Sequence, residues 1–108
     1  MNDLRRVHRC AMELVEMADL NMLDVGRIRR IAMYLEAVAA DELREEYDAE
    51  PSRSVLYRSA ASLAYQCREF EQAEALIKVG LNGNSPAEIR AELEELRGKV
   101  NEAMEGYQ

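Results

Sequence analysis

Apolar residues recur at every third or fourth position along nearly the whole length of this chain of 108 residues. In the first segment the recurring residues are Leu4, Val7, Ala11, Leu14 and Ala18. This spacing places side chains on one face of an α-helix, because a helix completes a turn every 3.6 residues. We find no segment with the strict apolar–polar alternation of a half-buried strand. The pattern predicts an all-α protein.

Interruptions of the pattern divide the chain into about five antiparallel helices within a single domain, 1–108. They fall at "NMLDVGR", "YDAEPS", "CREF" and "NGNSP", where turn-forming and helix-capping residues cluster. The predicted units are a first hairpin over about 3–47, a second over about 52–82 and a final helix over about 86–105. Short connections favour antiparallel neighbours. Ser52 or Ser54, and Ser85, are the expected helix caps.

The segment "LYRSAASLAYQCREFEQAEALIKVGLNGNSP" resembles a tetratricopeptide repeat (TPR). The matching residues are aromatic or small, with a closing proline one place late: Tyr57, Ala61, Phe70, Ala73, Gly80 and Pro86. Arg68 stands where that repeat usually carries Gly before the turn aromatic. The likeness is clear over about residues 52–86 and weaker over 11–44. It implies two TPR-like hairpins closed by a capping helix.

The resemblance also implies a function, a non-catalytic interaction module or adaptor that binds a peptide or partner protein in a shallow groove. The groove would be lined by inward residues of helices 1 and 3, namely Glu13, Glu16, Leu20, Val55, Arg58, Ser62, Tyr65 and Gln66. We expect Arg58 and Gln66 to hold a peptide backbone or carboxylate, and Tyr65 to stack on a side chain. A homodimer is one way to cover the inner faces, because two repeats bury little area each.

The charge balance narrows the range of partners. With 21 Asp and Glu against 14 Lys and Arg, the net charge is -7. Nucleic-acid backbones and anionic membrane surfaces both attract basic proteins, so neither is an expected partner. The acidic run "DELREEYDAE" over 41–50 offers an alternative function, an acidic inhibitor or regulatory protein that contacts its partner through these carboxylates.

The charges of the second predicted helix are reversed with respect to its dipole. Arg27, Arg29 and Arg30 lie at its start, and carboxylates crowd its end. Helix dipoles favour anions at the N-terminus and cations at the C-terminus. The reversal indicates that these charges interact with a neighbouring helix or with a partner.

No constellation for catalysis or metal binding emerges from the sequence. His8 is the only histidine, and Cys10 lies two positions away, so their side chains point in different directions on a helix. Neither a Glu-x-x-His pair nor a glycine-rich phosphate loop occurs. We expect no enzyme activity, no cofactor and no metal. A ligand-sensing bundle or enzyme built on His8 or the acidic run is the least favoured alternative.

The two cysteines, Cys10 and Cys67, lie inside helical patterns and are predicted to be small, reduced core residues. The chain shows no signal-peptide pattern and no apolar run of the roughly 18 residues needed to span a membrane. A cytoplasmic location is expected.

Overall fold

A computed structural model of the protein describes residues 2–21 and 25–106. The helices are α1 (Asn2–Asn21), α2 (Val25–Glu42), α3 (Ser52–Gln66), α4 (Phe70–Leu81) and α5 (Ala87–Gly106). No strand occurs in the described ranges. The prediction of an all-α fold with five helices is therefore confirmed.

Each helix packs against the next one along the chain, and α5 also contacts α3. Small side chains lie where neighbouring helices approach: Ala32, Ala60 and Ala73 are completely buried. At Gly80 of α4, an added Cβ would lie 3.0 Å from the Cβ of Tyr57 on α3. The close approach of α3 and α4 thus depends on the missing side chain.

The core is built from aliphatic residues with one aromatic side chain at its centre. The largest fully buried apolar side chains are Tyr57, Met33, Ile77, Leu93 and Val100. They come from α2, α3, α4 and α5, so these helices share one apolar interior. Their burial is the main stabilising contribution to the fold.

Helix α2 ends at Glu42, earlier than the predicted end near Tyr47. Residues 43–51 form successive turns instead, in which the Glu46 amide bonds to the Leu43 carbonyl at 2.9 Å. In a continued helix the Arg44 carbonyl would accept from the amide of residue 48. Here it accepts from Nε of the buried Arg53 at 2.8 Å, a distant contact that no local pattern reveals.

The predicted serine caps are wrong. Helix α3 starts after Pro51 without a side-chain cap bond, and the Glu50 carboxylate accepts the Ser54 amide at 3.0 Å. The Ser54 hydroxyl also donates to Glu50, at 2.7 Å. Before α5, the buried Ser85 hydroxyl has no hydrogen-bond partner within the described part of the chain. Glu50, which lies before the proline, therefore takes the role expected of Ser52 or Ser54.

Arg53 is completely buried at the junction of three chain segments. Its Nη2 donates to the Val79 carbonyl at 2.9 Å and its Nη1 to the Gly80 carbonyl at 3.4 Å, at the C-terminal end of α4. Its guanidinium lies 5.0 Å from the ring centroid of Tyr47 and 5.2 Å from that of Tyr57. The positive charge thereby meets the negative end of a helix and two aromatic faces.

The turn between α3 and α4 contains Arg68 with φ of 62°, in the left-handed region. This conformation is uncommon for residues other than Gly, because the Cβ approaches the following carbonyl. Arg68 is the position at which the sequence departs from the Gly of the similar repeat. The backbone conformation there is one that glycine adopts without strain.

The two cysteines differ in environment. Both are free thiols, Cys67 half-buried and Cys10 exposed. Burial raises the pKa of the Cys67 thiol, which disfavours the nucleophilic thiolate. The prediction that Cys10 is a core residue is therefore wrong. No helix in the described ranges combines the length and apolar character needed to cross a membrane.

Candidate functional site

A groove follows the partly exposed stripe of α3, between α1 and α5. The stripe has helical spacing and small or medium side chains: Ser52, Val55, Ser59, Ser62 and Gln66. Two hollows adjoin at Met12 of α1. The central hollow, of about 420 Å³, lies between α1, α3 and α5. The basic hollow, of about 390 Å³, lies between α1, the start of α3 and the residue after α2.

The basic hollow combines an apolar lining with cationic side chains from α1. Its lining residues are Arg5, His8, Arg9, Met12, Leu43, Ser52, Val55 and Leu56. The three basic residues are spaced so that they share one face of α1. Such a hollow suits an apolar group that carries a nearby negative charge.

His8 is held at the edge of this hollow by a buried carboxylate. Its Nδ1 lies 2.7 Å from both carboxylate oxygens of Glu36 on α2. The Glu36 side chain is fully buried, whereas that of His8 is 34% exposed. Burial raises the pKa of Glu36, and the hydrogen bond and charge of His8 oppose that rise. With Nδ1 engaged, Nε2 is the ring nitrogen left for a ligand.

Glu36 was not among the residues singled out from the sequence. It is the only charged residue in the stretch "IAMYLEAVAA", 31–40, whose other members are apolar or aromatic. A carboxylate inside such a stretch must find a partner, since an unpaired buried charge is strongly unfavourable. That signal was present, but the partner lies 28 positions away and on another helix.

The central hollow contains three residues that the resemblance implied, Arg58, Ser62 and Gln66. Its opposite wall comes from α5 through Glu92, Glu95, Leu96 and Lys99. Nη1 of Arg58 donates to the Glu92 carboxylate at 2.6 Å across the hollow. Helix α5 is thus a wall of the groove as well as the final helix, and Arg58 already has a carboxylate partner.

Of the other groove residues that the resemblance implied, Val55 lines the basic hollow, and Tyr65, Glu13 and Glu16 lie outside both hollows. The side chain of Leu20 is not among those that the structure describes. Tyr65 packs against Phe70, with ring centroids 5.9 Å apart and an interplanar angle of 54°, and borders a neighbouring depression. Glu13 and Glu16 are exposed on α1 and line neither hollow. Instead α1 turns Arg5, His8, Arg9, Met12 and Val15 toward the groove.

Two carboxylates of the acidic run over 41–50 form hydrogen bonds that support the fold, one of them at the exposed Asp41. Asp41 accepts the Tyr57 hydroxyl at 2.9 Å; burial and this bond raise the pKa of Tyr57. Glu50 accepts from Ser54, as described above. The remaining acidic residues, Glu42, Glu45, Glu46 and Asp48, are exposed. These four carboxylates are the ones available to a partner.

The described residues contain no group of three or more His, Cys, Asp and Glu side chains placed to hold a metal ion. The groove offers shape, apolar surface and charges of both signs, which are features of ligand sites. Comparisons with protein-family models, with curated proteins and with solved structures found no match to this chain. Function is therefore inferred from the groove itself.

Proposed function

We propose that the protein is a non-catalytic protein-interaction module that holds a segment of a partner protein in the groove along α3. The observation that carries this proposal is the pair of adjoining hollows, of about 420 and 390 Å³, over one partly exposed helix stripe. Each lies within the range of 300 to 1,000 Å³ that is usual for ligand sites. Together they form an elongated site, which suits a chain segment better than a compact small molecule.

We propose that the hairpins pack in the manner that the TPR resemblance implies. Small residues lie buried at the helix crossings, and Gly80 allows the close approach of α3 and α4. The left-handed Arg68 occurs where that repeat usually carries Gly. We interpret the chain as two TPR-like hairpins in which α5 both closes the core and lines the groove.

The charges around the groove define the segment that it favours. Arg5, His8 and Arg9 make one end basic, whereas the other end carries charges of both signs, Arg58 and Lys99 beside Glu92 and Glu95. A partner segment with an apolar residue beside an Asp or Glu fits the basic hollow. Polar residues farther along the segment would face the mixed charges of the central hollow. Complementary charge of this kind mainly determines orientation and specificity.

The length of the groove determines how long a peptide should be used to test binding. Helix α3 from Ser52 to Gln66 rises by roughly 21 Å, which an extended peptide of about seven residues spans. A random display library of peptides somewhat longer than this should therefore be selected on the purified protein. We expect the enriched peptides to share an apolar residue beside a carboxylate. Their affinities for the protein can be measured by fluorescence anisotropy.

Two matched variants test where the enriched peptides bind. Ser62→Arg places a long side chain in the central hollow, while Ala75→Arg makes the same charge change on the exposed surface of α4. We expect Ser62→Arg to weaken binding by at least about tenfold and Ala75→Arg to leave it unchanged. Failure to enrich any peptide, or equal binding by both variants, would contradict the proposal.

A further inference from the structure

Helix α2 exposes an apolar stripe that lies apart from the groove. Ile31, Tyr34 and Val38 are 48%, 54% and 62% exposed, respectively. Their spacing of three and four places them on one face of the helix, and none of them lines either hollow. A run of large apolar side chains on one exposed helix face is a common mark of an interaction surface.

Charges of opposite sign extend this stripe at its two ends. Arg27 lies one turn before Ile31, and Glu42 lies one turn after Val38; both are exposed. Each is placed against the preference of the helix dipole. Arg30 also lies near the start of α2 and pairs with Glu69 of the same chain. The stripe therefore reads basic, apolar, acidic along α2.

This order is self-complementary when two copies of α2 run antiparallel. Ile31 and Val38 are equally far from a point between Tyr34 and Leu35, and so are Arg27 and Glu42. A two-fold axis at that point would bring Ile31 of one copy to Val38 of the other. The same axis would bring Arg27 to Glu42, twice in the dimer, because residues in an isologous interface pair reciprocally.

We propose that a second copy of this chain docks on the exposed face of α2 and forms an antiparallel, two-fold symmetric helix pair. The charge complementarity selects a second copy as the occupant, since any other partner would have to reproduce both the spacing and the reversed charges. From Arg27 to Glu42 the stripe is about 22 Å long. The five residues named on this face are far fewer than the roughly 20 to 30 residues per side of a standard interface. The dimer is therefore weak and depends on protein concentration.

Charge reversal on the full chain tests the pairing directly. The variants are Arg27→Glu, Glu42→Arg and the double variant, with dimerisation measured by sedimentation equilibrium. Each copy carries a net charge of -7, which Arg27→Glu makes more negative and Glu42→Arg less negative. If only overall repulsion mattered, these two changes would have opposite effects. We expect both to weaken the dimer by about tenfold or more, and the double variant to restore it.

Glu46→Arg is the matched control for Glu42→Arg, because it makes the same charge change at an exposed residue beyond α2. It should leave dimerisation unchanged or strengthen it slightly. All these positions are exposed, so circular dichroism should show unaltered helix content. The proposal is overturned if the wild-type chain stays monomeric up to millimolar concentration. It is also overturned if Glu42→Arg behaves like Glu46→Arg, or if the double variant does not recover.

Discussion

The Glu36 carboxylate is fully buried on α2 and has His8 as its partner. Removing an ionised carboxylate from water is unfavourable, which is why burial raises the pKa of Glu36 above its ordinary value of 4.5. His8 offsets part of that penalty by donating to both oxygens. The pair holds the imidazole at the edge of the basic hollow, so this carboxylate links the interior to the groove.

Replacing Glu36 with Gln should change how stability depends on pH. A raised pKa means that the folded state holds the Glu36 proton more tightly than the unfolded state does. The wild-type protein therefore loses stability as the pH rises from about 4.5 through the raised pKa. Gln does not ionise, and its amide oxygen still accepts from His8. As the pH increases, we expect the free energy of unfolding of Glu36→Gln to rise relative to that of the wild type.

Urea unfolding of both proteins at a series of pH values measures this difference. Below the ordinary pKa of Glu, the two proteins should have their most similar stabilities, because the carboxyl is then protonated in both states. A difference that stays constant across the whole series would show that Glu36 is not the titrating group.

At the scale of the helix, close packing and helix propensity act in opposite directions on glycine. Gly80 on α4 and Gly98 on α5 both lie inside helices. A Cβ at Gly98 would meet no atom within 4 Å, whereas one at Gly80 would lie 3.0 Å from the Cβ of Tyr57. The Tyr57 Cβ is bonded to the backbone of α3, so it moves only if the helix moves.

Matched Gly→Ala changes should therefore have opposite signs. Gly98→Ala should stabilise the protein by roughly 0.5 to 1 kcal/mol through reduced backbone entropy and better helix propensity. Gly80→Ala should destabilise it by about 1 kcal/mol, because crowding costs 1 to 3 kcal/mol and exceeds that gain. Chemical denaturation of the two variants under identical conditions gives both values. If both changes stabilised the protein, α3 and α4 would be less tightly packed than described.

The same scale shows which helix ends can be predicted from sequence. Helix α4 begins and ends at two of the predicted interruptions, because "CREF" and "NGNSP" are local stop signals on either side of it. The end of α2 was missed because Arg53 takes up the Arg44 carbonyl from a distant position. Local signals therefore determine a helix boundary only where no tertiary contact competes for the backbone groups.

Only part of the groove lining could be predicted from the sequence. The repeat resemblance pointed to Arg58, Ser62 and Gln66, which line the central hollow. The basic wall from α1 and the wall of mixed charge from α5 were missed. The face that each of these helices turns toward α3 depends on rotation about the helix axis, and that rotation is set by packing across the whole molecule. The buried Glu36 was missed for the same reason.

For the whole molecule, Arg53 connects parts of the chain that are distant in sequence. It links the turn after α2 to α3, on which it lies, and to the C-terminal end of α4. Gly83 leaves room for it, since an added Cβ there would lie 2.6 Å from Nη1 of Arg53. Arg90 of α5 binds near the same helix end, donating to the Leu81 carbonyl at 2.8 Å, but it is exposed.

Arginine-to-lysine changes at Arg53 and Arg90 should show that the buried arginine contributes more to stability than the exposed one. Lysine keeps the charge but has neither the planar fork nor the aromatic stacking of arginine, so Arg53→Lys leaves buried carbonyls without donors. We expect it to lower the free energy of unfolding by about 3 kcal/mol and the Tm by at least roughly 10 °C. Arg90→Lys should change stability by no more than about 0.5 kcal/mol.

Urea and thermal unfolding of both variants measure these effects, and Arg53→Lys should lower the stability of all helices together. Equal, small effects at both positions would mean that Arg53 does not connect the segments energetically.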